Sequence, residues 1–182
     1  QYGGFSQFSM YDDPAVVEPI IDWQLATLAS MGVDLSALSG ALFESEVMPA
    51  WTRVKRDGRT LSIDFLRFLG YAHIIAESYR ASGQSAPQSI IEIGSGFGGL
   101  ARILKLMYPQ ATIRLVDIAS CLRVAEYYLA NALPGVNIRW GDREEGDDAE
   151  SGDDFILISA DEATGIAGRR FDLALNVWSF GE

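Results

Sequence analysis

The sequence contains one cysteine, Cys121, and one histidine, His73. A single thiol excludes an internal disulfide and fits a reducing cytoplasm, where the protein is expected to work. Basic charge is also scarce, with 14 Lys and Arg against 25 Asp and Glu and a net charge of −11. Such a chain repels a phosphate backbone, so no nucleic-acid partner is expected. Its one dense basic run, Arg53, Lys55, Arg56 and Arg59, is short and reads as a solvated helix end and turn. No apolar run approaches the roughly 18–20 residues that span a bilayer. No basic segment followed by an apolar block opens the chain, and no membrane partner is expected. Internal repeats and low-complexity blocks are missing as well.

Apolar residues are plentiful, at 48% of 182 positions, enough for a substantial core. The pattern predicts an α-helical front end over residues 1–87, on the substrate side, and an α/β part over residues 88–182. In the front end, Pro19 suits an early helical position, Ile20, Ile21, Leu25 and Leu28 recur at helical spacing, and Gly32 ends that helix. A second helical region is expected over about Leu35–Met48, stopped by Pro49. Asp57-Gly58 marks a turn, after which Ser62 caps a long helix whose stripe runs from Phe65 to Tyr79.

Beyond the Gly, Ser, Gln and Pro linker at Ser82–Ser89, strand and helix signals alternate. Strands are expected at Ile90–Ile93, Thr112–Val116, Val136–Trp140, Phe155–Ser159 and Phe171–Val177, with helices at Leu100–Met107 and about Ser120–Ala132. That order predicts a Rossmann-like, doubly wound parallel sheet. The eight acidic residues of Asp142–Asp154 show no periodicity and read as a surface loop. They lack the alternate-position ligands and closing glutamate of a calcium loop, so no metal is expected.

The chemistry concentrates in Ile90–Gly99, IIEIGSGFGG. A strand running into glycines before a helix lets backbone amides approach a ligand closely. Gly94, Gly96 and Gly99 satisfy the G-x-G-x-x-G of dinucleotide sites, and Gly94, Gly96 and Gly98 the G-x-G-x-G of methyltransferases. Glu92 favours the second, because a carboxylate there opposes a diphosphate but suits an ammonium and a sulfonium. Asp117, ending the next strand, is placed to accept hydrogen bonds from ribose hydroxyls in either class.

The stretches IEIGSGFGGLARI, LVDIA, AEYYLANALP and FDLALNVWSFGE resemble the bacterial sugar O-methyltransferases, a family of class I S-adenosylmethionine-dependent enzymes. The resemblance spans about Ser89–Glu182, with a looser match over the helix LSIDFLRFLGYAHII. It implies that Glu92, Gly94, Gly96 and Gly98, with Ser95 in the same turn, surround the methionine portion of S-adenosylmethionine. Asp117 would hold the ribose and Ile118 would line the adenine pocket. The adenine edge would meet either Trp140-Gly141-Asp142 or Ser159-Ala160-Asp161, and family likeness favours Ala160 and Asp161. Asn176 and Ser179 would sit beside the transferable methyl, either catalytically or as a capped strand end.

The family continues past the FDL strand with more helices and strands, so the chain reads as truncated, with an exposed apolar edge at Phe171–Val177 and weakened cofactor binding. The start at Gln1 and stop at Glu182 fit that expectation. Methyl transfer to a sugar hydroxyl, on a small molecule or glycan, needs in-line alignment and a base. His73, one turn from Glu77, is a candidate base or a structural histidine. Trp51, Tyr71 and Tyr79 are candidate stacking groups for the sugar. The rival readings are a nicotinamide-dependent oxidoreductase and a non-catalytic assembly module of the same fold.

Overall fold

Asp13 starts the first helix by accepting a hydrogen bond from the Ala15 amide at 2.9 Å, with proline following in the first turn. Helix α1 spans Pro14–Ser30 and buries Val17, Ile21 and Leu28. It closes in a Schellman turn: Gly32, at φ +84°, donates to the Ala29 carbonyl at 3.0 Å, and Val33 to the Leu28 carbonyl at 2.9 Å. The computed structural model describes residues 13–43, 45–47, 53–141, 152–166 and 168–177. The chain forms two units, Gln1–Ser78 and Tyr79–Glu182, which divide inside a helix rather than in the linker before Ser89.

In the first unit, two expectations are corrected. The region after Val33 holds no α-helix among the described residues; it makes two single 3-10 turns, Leu35–Ala37 and Gly40–Leu42. Asp34 caps the first by accepting from the Ser36 amide at 2.8 Å, and Leu38 leaves helical geometry at ψ 139°. The basic run is a β-hairpin, not a helix end: β1 (Arg53–Arg56) pairs antiparallel with β2 (Arg59–Ser62). Val54 and Leu61 face one another and are both buried. Asp57 at φ 50° and Gly58 at φ 75° form the two-residue turn that suits the twist of paired strands. The Ser62 hydroxyl then accepts from the Phe65 amide at 3.1 Å and opens α2 (Ile63–Ser82).

The second unit contains a five-stranded, wholly parallel sheet of β3 (Ser89–Ile93), β4 (Thr112–Asp117), β5 (Ile138–Trp140), β6 (Phe155–Ser159) and β7 (Leu173–Asn176). Their spatial order is β5-β6-β4-β3-β7. With α3 (Gly99–Met107) and α4 (Ala119–Ala132), the protein is α/β and its sheet is consistent with a Rossmann-like arrangement. Helix α4 packs on β4 and β6, and α3 on β4 and α4. The alternation of strand side chains sends Ile91, Val116, Ile156 and Ile158 to the other face, against Ala163, Ile166 and Phe171. Among the described residues, β7 pairs only with β3, and no helix is long and apolar enough to cross a membrane.

Asp172 fastens β7 to the start of β3. Its carboxylate accepts from the Gln88 and Ser89 amides at 2.8 and 2.9 Å, and its carbonyl accepts from the Tyr79 hydroxyl at 2.6 Å. Substitution Asp172→Ala removes two charge-assisted bonds at an exposed position. We expect about 1–2 kcal/mol of destabilisation, read as a lower urea midpoint with an unchanged slope.

Candidate functional site

Beyond Ile93 the β3–β4 ladder gains one more bond, Gly94 donating to the Val116 carbonyl at 2.7 Å, before the chain turns. Gly94, Gly96 and Gly98 have φ of 75°, 55° and 82°, in the left-handed region, whereas Gly99 is an ordinary residue of α3. Gly98 is also closely packed: an added Cβ would stand 3.2 Å from Leu129 Cδ1, which would have to give by a few tenths of an ångström, and 3.6 Å from Ala125 Cβ of α4. Phe97 reinforces this contact edge-on against Tyr128, with ring centroids 5.1 Å apart.

The turn is held from the neighbouring strand. Asp117, at the end of β4, accepts from the Gly96 amide at 2.8 Å through Oδ2 and from the Ile118 amide at 2.7 Å through Oδ1. Each carboxylate oxygen has further lone pairs, so these bonds leave acceptor capacity for ligand hydroxyls. Ile118 is 58% exposed.

Two buried polar atoms at this turn lack a partner among the described residues: Glu92 Oε2 and the Ser95 hydroxyl, in residues only 3% and 7% exposed. Loss of water around Glu92, reinforced by the negative charge of Asp117, raises its pKa to about 8. An unsatisfied buried carboxyl is costly, and a ligand that supplies a hydrogen-bond donor or a positive charge relieves that cost.

The strand order separates the two candidates for the adenine edge. Because β6 lies next to β4, Ser159 is opposite Asp117, and the Ala160 amide donates to the Asp117 carbonyl at 2.9 Å. Asp161 accepts from the Ser159 hydroxyl, which lowers its pKa. Trp140 pairs with Leu157 one strand farther out, and Asp142 lies outside the described residues. The structure therefore gathers Glu92, Gly94, Ser95, Gly96, Gly98, Asp117, Ile118, Ala160 and Asp161 along the carboxyl ends of adjacent strands β3, β4 and β6. In open α/β sheets this edge is where ligands bind.

Asn176 ends β7 on the other side of β3, where its amide nitrogen donates to the Ile93 carbonyl at 3.1 Å. Ser179 and Trp51 lie outside the described residues, as do residues 142–151 of the acidic loop. His73 belongs to the first unit, where Nε2 is 3.0 Å from the Met31 carbonyl at the end of α1, a structural contact. Tyr71 is half-buried in the same unit. Tyr79 is engaged by Asp172 and packs 6.5 Å from Tyr108, so it braces the sheet instead of presenting a free stacking face.

No family model matches the chain, and no curated protein matches it significantly. The sequence reading missed that Asp117 also fastens the glycine turn. The signal for it is that its strand is the next one after the turn, and consecutive strands usually lie side by side.

Proposed function

We propose that the chain is an S-adenosylmethionine-dependent O-methyltransferase of the class I fold, acting in the cytoplasm on a sugar hydroxyl of a small molecule or glycan. The observation that carries this reading is the buried Glu92 carboxyl beneath the glycine turn, with one oxygen unpartnered among the described residues. An ammonium group completes such a site, whereas a diphosphate brings further negative charge to it.

In this reading, Glu92 and Ser95 hold the amino-acid end of the cofactor, Asp117 the ribose, and Ile118, Ala160 and Asp161 the adenine. The bound cofactor supplies an electrophilic methyl group. Asn176, fixed by its bond to the Ile93 carbonyl, orients the acceptor at the end of β7. The sugar as acceptor rests on the resemblance of Phe171–Glu182. Titration calorimetry with S-adenosylhomocysteine and with NAD tests the cofactor. Binding of the first without the second is expected, and tight binding of NAD alone would overturn the proposal in favour of an oxidoreductase.

A further inference from the structure

The first unit contains a cleft of about 370 Å³ between the hairpin turn and the 3-10 turns, lined by Leu38, Phe43, Glu46, Gly58, Arg59 and Thr60. This volume falls at the lower end of the range for small-molecule sites. Arg59 is its distinctive group. The guanidinium lies 4.3 Å above the Phe43 ring, which is braced 5.9 Å from the buried Phe65 ring, and Nη1 donates to the Leu35 carbonyl. Its plane is thus fixed on two sides, while four of its five N–H donors have no partner among the described residues.

The charges around it sharpen the point. Arg56, across the same turn, is neutralised by Glu18 and Asp22, each at 3.4 Å. No described carboxylate forms an ion pair with Arg59. The Asp34 carboxylate lies near enough to feel its charge but makes no ion pair with it; Oδ1 accepts from the Ser36 amide and hydroxyl at 2.8 and 2.6 Å. A half-buried guanidinium stacked on an aromatic ring, with no ion pair to a described carboxylate, is preorganised to receive an anion. Glu46 and Thr60 add a carboxylate and a hydroxyl to the lining, and both accept hydrogen bonds from hydroxyl groups.

We propose that this cleft binds a small hydroxylated anion, whose carboxylate or phosphate pairs with Arg59 and whose hydroxyls reach Glu46 and Thr60. The proposal does not depend on the reading of the glycine turn. The test is calorimetry on the whole chain with glucuronate, glucose 6-phosphate and glucose. At least one of the two anions should bind about tenfold more tightly than neutral glucose. Glucuronate as the better ligand assigns a carboxylate, and glucose 6-phosphate a phosphate.

Arg59→Lys keeps the charge but loses the planar fork, and should weaken anion binding by about tenfold while leaving glucose unaffected. A second measurement needs no variant: the amide resonances of Gly58 and Thr60 should shift on titration with the anion. Equal binding of glucose, binding of neither anion, an unchanged affinity in a folded Arg59→Lys chain, or shifts confined to other residues would each overturn the proposal.

Discussion

Asp117→Ala should weaken binding of S-adenosylhomocysteine by about two orders of magnitude, measured by calorimetry. The carboxylate does two jobs that fail together. It fastens the Gly96 and Ile118 amides at 2.8 and 2.7 Å, and in the proposed function it holds the ribose. Losing charged acceptors typically costs about 1.5–3 kcal/mol per bond, and every 1.4 kcal/mol is about tenfold in affinity. Asp117→Asn keeps one acceptor oxygen and should fall between the variant and the parent. The negative charge of Asp117 also helps raise the pKa of Glu92, so Asp117→Ala should move the Glu92 titration to lower pH. Unchanged S-adenosylhomocysteine affinity would remove Asp117 from the site. An unchanged partner-binding phenotype without turnover would instead favour the assembly module.

The second unit was legible because its residues have few other places to go. Ile90–Ile93, Thr112–Val116 and Phe155–Ser159 are short apolar runs rich in β-branched residues, and each is bounded by a turn, a glycine or an aspartate. Glycines at 94, 96 and 98 sit where the observed backbone needs positive φ. Strand order was less legible. The chain reaches Ile138–Trp140 before Phe155–Ser159, and neighbours in sequence usually become neighbours in the sheet. Here the later strand takes the inner place beside β4. Five buried residues, Phe155–Ser159, fit a central position, while the half-buried Ile138–Trp140 fits an edge.

The first unit misled for a different reason. Strands of four residues give two alternations at most, and in Arg53–Arg56 the outward positions carry charges that resemble a solvated helix end. The cross-strand pair Val54 and Leu61 becomes visible only once the Asp57-Gly58 turn is read as a hairpin turn. Between Leu35 and Met48 the apolar residues do recur at helical spacing. Asp34, Ser39 and Gly40 nevertheless favour caps and turns over a helix interior, and two single turns form. In the candidate site, Glu92 and Asp117 are singled out by charge, but no pattern along the chain reveals that Arg59 has Phe43 beneath it and no ion pair among the described residues.

Glu92 gives the sharpest pH test of the whole reading. Burial, and then the charge of Asp117, raise its pKa from an ordinary 4.5 to about 8. Between those values the folded chain holds a proton that the unfolded chain has released. The stability linked to Glu92 is therefore fully present below about pH 4.5 and is lost as pH rises through about 8. At one pKa unit per 1.36 kcal/mol, the loss amounts to at most about 5 kcal/mol. Thermal melts should show the parent losing stability from pH 6 to 9 and Glu92→Gln losing much less. Ligands then separate by sign. Near pH 7 most Glu92 is protonated, so a cofactor whose ammonium favours the carboxylate should release close to about one proton on binding. A diphosphate favours the protonated form and should release none or take protons up. Calorimetry of S-adenosylhomocysteine in buffers of different ionisation enthalpy reads this number directly. Net proton uptake, or a release that Glu92→Gln leaves unchanged, would show that Glu92 does not face the cofactor's ammonium group.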